Sequence, residues 1–203
     1  MNSIGRFELS LDMSPDYIDV DLVVVDGEIY ASHNPYKKVP YVDRLIPLGP
    51  TGPYKLKLKE VAADCAEAEQ KMFLDTKNLD VEDLPLLRGI LGEARMEEKI
   101  LFCSRNPKLL DKIAEVYGYD WVFHSIPNED RLNDFFEKGY RGNVSIPERL
   151  ATKENIDALH ERGANVFVYT VNSAQEALRV LGVKCDGIIS ENISLLNVYP
   201  RRV

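Results

Sequence analysis

Four charged residues stand where strands ought to be apolar. In the run Tyr17–Val25, Asp19 and Asp21 are two apart and so point to one side of a strand, while Ile18, Val20 and Leu22 take the other. Asp75 and Lys77 repeat that spacing at the end of the run Met72–Thr76. Strands of a parallel sheet covered on both faces read as apolar throughout, and a carboxylate buried without a partner is costly. Such groups are therefore expected at strand C-terminal ends, where (β/α) barrels place their sites. Three carboxylates meeting with no cation would repel, and at least one pKa would rise. A hard divalent ion such as Mg²⁺ or Ca²⁺ would relieve this, because both prefer carboxylate oxygens. The alternative is that Asp19 and Asp75 pair with Lys77 or sit in solvated loop ends. Spacing alone leaves both readings open.

The histidines and one arginine are judged by their company. His33 follows the two aspartates closely, and an imidazole beside carboxylates can act as general acid or base. His124 stands near a strand end and reads better as a core or rim residue. His160 falls in a helix and reads as exposed. Arg105, just past the strand ending at Ser104, could reach a phosphate or simply be a surface charge at a helix start.

The elements that would position these residues alternate along the chain. Tyr17–Val25 is a strand, Asp26-Gly27 a hairpin turn and Glu28–Ser32 its return arm. From His33 to Tyr54, five prolines exclude regular structure through most of the segment. Its Tyr36, Lys37, Lys38, Tyr41 and Arg44 suit either a lid over an anionic substrate or a solvated connection. Further strands are predicted at Met72–Thr76, Ile100–Ser104, Trp121–Ile126, Asn143–Ile146, Val166–Val171 and Asp186–Ser190. Helical spacing covers Leu56–Lys71 and Leu84–Glu98, then a helix opened by Asn106-Pro107, then Lys153–Arg162 and Ser173–Leu181. Seven strands alternating with helices or helix-like connections predict one α/β domain over residues 1–203, as an open doubly wound sheet or a closed (β/α) barrel. No G-x-G-x-x-G follows a strand, which weakens the dinucleotide-binding version. A full barrel takes about 250 residues, so at 203 residues one βα unit is expected to be absent.

Composition narrows the partners. Lysine and arginine number 25 against 33 acids, a net charge of −8, with no basic run to serve a nucleic acid or an anionic membrane surface. No apolar run approaches the roughly 20 residues needed to span a bilayer. The first residues show no secretory signal. Three scattered cysteines, Cys65, Cys103 and Cys185, form no C-x-x-C pair, and the odd count argues against a disulfide framework. A cytoplasmic setting is the expectation.

Taken in order, the motifs resemble the glycerophosphodiester phosphodiesterases, TIM-barrel hydrolases that release glycerol 3-phosphate and an alcohol. Tyr17–Leu22 followed by Asp26–Pro35 is similar to that family's Ile-Glu-x-Asp-Val, Asp-Gly and Ser-His-Asp pattern, and Phe73–Lys77 to its Glu-x-Lys strand. Cys103–Leu110 is similar to its Ser-Phe-x-Pro-x-x-Leu segment. Val168–Asn172 with Gly182–Ser190 looks like its Trp-Thr-Val-Asn and Gly-Val-Asp-Gly-Ile-Ile-Thr-Asp ending. The resemblance implies an incomplete TIM-type (β/α) barrel of about seven barrel strands, beginning beyond the family's first strand, whose His-Arg-Gly has no counterpart here. Ile4–Met13 falls roughly where the following helix would be. Both metal glutamates are aspartates, Asp19 and Asp75; Asn34 replaces an aspartate and Tyr169 a tryptophan.

Carried over, the resemblance implies Asp19, Asp21 and Asp75 as ligands of a divalent cation, His33 as general acid/base, and Lys77 as a phosphate contact; Arg105, from its place after a strand, is a further candidate for binding the phosphate. Two functions follow as expectations. One is metal-dependent hydrolysis of a small phosphodiester, slowed by the loss of the His-Arg pair and placed in lipid metabolism. The other is a non-catalytic phosphate-ligand binder or interaction module that kept the barrel. An incomplete barrel leaves strand edges, which proteins cover; the Met1–Phe7 segment or a second copy of the chain, as a homodimer, is expected to do so.

Overall fold

The computed structural model describes residues 4–32 and 56–197. His33, and with it the proline-rich segment to Lys55, lies outside the described residues. The chain forms two compact units, Met1–Phe102 and Cys103–Val203.

The first unit opens with α1 (Ile4–Met13), where the family resemblance implies a helix. Its Phe7 is only 3% exposed, and Phe7 is the one residue of the Met1–Phe7 segment whose side chain is described. Strand β1 (Ile18–Val25) turns through Asp26 and Gly27 into β2 (Glu28–Ala31). Both turn residues have positive φ, 52° and 76°, the left-handed pair that a two-residue hairpin with native twist requires. Glycine takes that conformation without strain. Helix α2 (Leu58–Glu67) buries Leu58, Val61, Ala62 and Cys65 on one face. It ends sooner than its periodicity predicts, because the chain turns left-handed at Glu69. Strand β3 (Met72–Thr76) pairs parallel with β1, Ile18 opposite Met72 through Leu22 opposite Thr76. Helix α3 (Leu84–Glu93) follows, then β4 (Ile100–Ser104). The strand order here is β2-β1-β3-β4.

The second unit continues with α4 (Pro107–Tyr117), β5 (Val122–Ser125), α5 (Glu129–Lys138), β6 (Asn143–Pro147), α6 (Lys153–His160), β7 (Val166–Tyr169), α7 (Ala174–Gly182) and β8 (Gly187–Ile188). Strands β5 to β8 are neighbours in that order and parallel. Asn106, Asn128, Thr152 and Ser173 each accept a backbone N–H at a helix start, satisfying donors the helix leaves unpaired. A single core links Ile126, Leu132, Phe135, Ile146, Ile156, Val166 and Val168.

Seven strands, β1 and β3–β8, thus alternate with helices, and β2 is the hairpin arm. This is the incomplete (β/α)-barrel class that the family resemblance implies. Helix α5 falls between the predicted strands Trp121–Ile126 and Asn143–Ile146, where the sequence analysis assigns no element. Asn128 caps it, Leu132 and Phe135 are buried, and Gly139 closes it in the left-handed conformation. In α4, Val116 shares the helical spacing of the buried Leu109, Leu110 and Ile113 yet is 50% exposed.

Candidate active site

Strands β1 and β3 bring the predicted charges together. Their register sets Asp21 directly opposite Asp75 and Asp19 opposite Phe73. The two-residue pleat puts Asp19 on the same side of β1 as Asp21. Lys77 leaves β3 just past its last residue, with its N–H donating to the Leu22 carbonyl at 2.9 Å. Its ammonium sits 2.6 Å from Asp21 Oδ1 and also bonds Asp75 Oδ2. Burial works against the charged lysine, but the Asp75 and Asp21 carboxylates outweigh it and hold the Lys77 pKa above its ordinary value. Of the ion pairs expected from Asp19 and Asp75 to Lys77, that of Asp75 is present, and Asp21 rather than Asp19 supplies the second carboxylate oxygen beside the ammonium.

Asp19 lies one pleat repeat nearer the start of β1 on the same face, with its Oδ1 buried. Burial, reinforced by the charges of Asp21 and Asp75 and offset in part by Lys77, pushes its pKa up to about 7. All the donors here are carboxylate oxygens, the kind a hard divalent ion takes, and two of them already converge on one cationic centre. Among the described residues, however, no group of three or more His, Cys, Asp or Glu side chains is gathered to hold a metal. The donors fit such an ion in kind, and it would compete with Lys77 for Asp21 and Asp75.

Backbone contacts tie the surroundings to this point. Ser32, the residue before His33, donates its N–H to the Asp21 carbonyl at 2.8 Å, and Ala31 N–H donates to Leu56 O at 2.9 Å. The chain therefore leaves for the undescribed segment at Asp21 and is back beside β2 by Leu56. Asn78, which the sequence reading passed over, has its side-chain amide paired with the backbone of Val24. Its Oδ1 accepts from Val24 N at 2.8 Å and its Nδ2 donates to Val24 O at 3.1 Å. The available signal was an asparagine directly after a strand-end lysine, since asparagine side chains readily replace backbone partners.

The remaining candidates belong to the second unit. Arg105 is exposed at the end of β4, in the second unit. His124 is a core residue, as its sequence context favours: its Nε2 lies 2.9 Å from Arg141 O, and its ring stacks on Tyr140 at 5.3 Å. Burial pushes its pKa down. His160 corrects the sequence reading, for it is half-buried, with Nε2 2.8 Å from Asp186 Oδ2. All three cysteines are buried free thiols, and no described helix is long and apolar enough to cross a membrane.

Asp75 and Lys77 stand at the C-terminal end of a parallel strand on a (β/α) frame, the end at which such frames carry their sites. The model of the glycerophosphoryl diester phosphodiesterase family matches residues 66–195, and the chain belongs to that family. Among curated proteins, none matches the chain. Solved structures share the fold. An Oleispira antarctica phosphodiesterase in complex with the product sn-glycerol-3-phosphate superposes with a TM-score of 0.78 at 13% identity, over 97% of this chain and 89% of that one. A Galdieria sulphuraria protein, provisionally assigned as a glycerophosphodiester phosphodiesterase, gives 0.77 at 22% identity over 97% and 90%. The glycerophosphodiester phosphodiesterase of Thermotoga maritima gives 0.70 at 16% over 97% and 90%.

Proposed function

We propose that the β1–β3 rim binds the phosphate of a small glycerophosphodiester and hydrolyses it. The observation that carries this reading is the convergence of Asp21, Lys77 and Asp75 in a chain of this family. The ammonium of Lys77, held at the rim by two carboxylates, is the cation that meets a non-bridging phosphate oxygen. The product glycerol 3-phosphate bound by the Oleispira relative is a ligand of the same class. Hydrolysis breaks the bond from phosphorus to the leaving oxygen and forms one to the attacking oxygen, and the leaving oxygen needs a proton. His33, next in chain to a residue bonded at Asp21, is the proposed donor. A divalent cation, proposed to be held by Asp19, Asp21 and Asp75, would supply polarisation of the phosphoryl oxygen.

The test is hydrolysis of glycerophosphocholine and bis-p-nitrophenyl phosphate with Mg²⁺, Mn²⁺ or Ca²⁺ and with a chelator. Turnover should be lost in Lys77→Met and fall about 10²–10⁴-fold in His33→Ala. Turnover untouched by both substitutions refutes the assignment. A second reading, phosphate binding without turnover, is favoured by the engagement of both rim carboxylates by Lys77. It predicts saturable binding of glycerol 3-phosphate, lost in Lys77→Met, with no product under any metal.

A further inference from the structure

Lysine is a poor choice for a fixed charge, because its four-carbon stem is flexible and each ordered side chain of this kind gives up rotamer entropy. At the β1–β3 rim it is nevertheless fixed between two carboxylates. The carboxylates account for the position of the ammonium. They do not account for the backbone that delivers it, because Lys77 lies beyond the last ladder residue of β3, where a chain would ordinarily leave the sheet.

Two contacts extend the pairing past that end. Lys77 N–H donates to Leu22 O. One residue further, the Asn78 amide takes both backbone groups of Val24, its oxygen accepting at 2.8 Å and its nitrogen donating at 3.1 Å. A side-chain amide used in this way reproduces the pair of bonds a neighbouring strand residue would make. It also serves both Val24 groups on the side that β3 no longer covers. Lys77 is thus held on either side, by Thr76 in the ladder and by Asn78 at the clamp. The geometry points to Asn78 as a positioning residue of the phosphate site: it aims the Lys77 ammonium at the rim without touching the ligand. This role rests on the reading of the rim as a phosphate site.

Two readouts on the full chain test it. The first is binding of sn-glycerol 3-phosphate by calorimetry to wild type, Asn78→Ala and Lys77→Ala. Asn78→Ala should weaken the dissociation constant about 3–10-fold with unchanged stoichiometry, since loss of one or two exposed hydrogen bonds is a modest effect. A merely structural role would lower the fraction of binding-competent protein and leave the dissociation constant alone. The second readout needs no ligand: the acetylation rate of Lys77, relative to the exposed Lys153, should rise several-fold in Asn78→Ala as the ammonium is released. If Lys77→Ala abolishes binding while Asn78→Ala changes neither readout, the clamp has no positioning role. If wild type does not bind, or binds no better than Lys77→Ala, the phosphate-site reading itself fails, and this role with it.

Discussion

Asp19 offers the sharpest quantitative test of the rim, because the structure makes its charge expensive. Burial and two neighbouring carboxylates push its pKa from 3.8 to about 7. Below pH 4 the carboxyl is protonated both folded and unfolded, so it costs nothing extra. Between pH 4 and 7 the unfolded chain has lost the proton and the native chain keeps it, so the native state binds more protons and stability falls as pH rises. Above pH 7 the carboxylate is ionised in both states and the full cost is present. Three pH units at 1.36 kcal/mol each set that cost at about 4 kcal/mol. Asn in place of Asp19 keeps the shape and cannot ionise. In urea denaturation at pH 4 to 8 with a chelator present, the stability of Asp19→Asn relative to wild type should therefore climb through this window and level off above pH 7. The slope is the observable, because a constant offset reflects only the exchange of carboxyl for amide. Curves for the two proteins that run parallel from pH 4 to 8 would refute the argument that Asp19 is buried against like charges. Repeating the series with Mn²⁺ in place of chelator adds a check on the proposed cation site. An ion bound by Asp19 favours its ionised form, and the pH slope should then disappear.

Two further predictions concern the frame. Gly142 has φ +106°, and a Cβ there would lie 2.9 Å from Val122 Cγ2 and 3.1 Å from the Val122 carbonyl oxygen; Gly142→Ala should cost about 2–4 kcal/mol in urea denaturation. Asn106 Oδ1 accepts from Lys108 N and Leu109 N at 3.1 and 3.3 Å; Asn106→Ala should cost about 1 kcal/mol, read as a lowered denaturant midpoint.

Much of this architecture is legible in the chain because the strands are apolar where they should be and marked where they are not. Met72–Thr76 and Ile100–Ser104 fall where periodicity places them, since a short apolar run bounded by turn residues has few other uses. Helix α5 escaped notice because its apolar face is confined to a few residues in a strongly charged segment, so the polar count hides the spacing of Leu132 and Phe135. Strand ends were overrun at Val166 to Val171 because the ladder stops at Tyr169, although Val171 stays buried and its N–H still finds Ile189 O. Within the site, residue type and the two-residue pleat were enough to align Asp19 with Asp21 and Asp75 with Lys77. The step they could not supply is the register between β1 and β3. Register sets Asp21 opposite Asp75, and it depends on side chains from two runs 50 residues apart packing together.

Register also explains why Asp19 and Asp21, identical in type and adjacent on one face, have unlike environments. Asp21 faces Asp75 across the ladder and reaches the ammonium of Lys77, so its charge is met. Asp19, one pleat repeat nearer the start of β1, faces Phe73 and lies within the fields of both the other two carboxylates and Lys77. A sheet concerned only with stability gains nothing from a carboxylate with a buried oxygen there, since an apolar residue of similar size would avoid the desolvation penalty. Shortening by one methylene relative to the glutamate expected from the family pattern makes matters worse, because the carboxylate is drawn further toward the strand. On the proposed function, the occupant of the rim brings positive charge of its own. On that argument the decisive comparison is Asp19→Asn against Asp19→Glu. If Asp19 serves only the fold, the longer acid should destabilise the protein and improve nothing. If it serves a cation, Asp19→Glu should tighten Mn²⁺ binding relative to wild type, while Asp19→Asn weakens it.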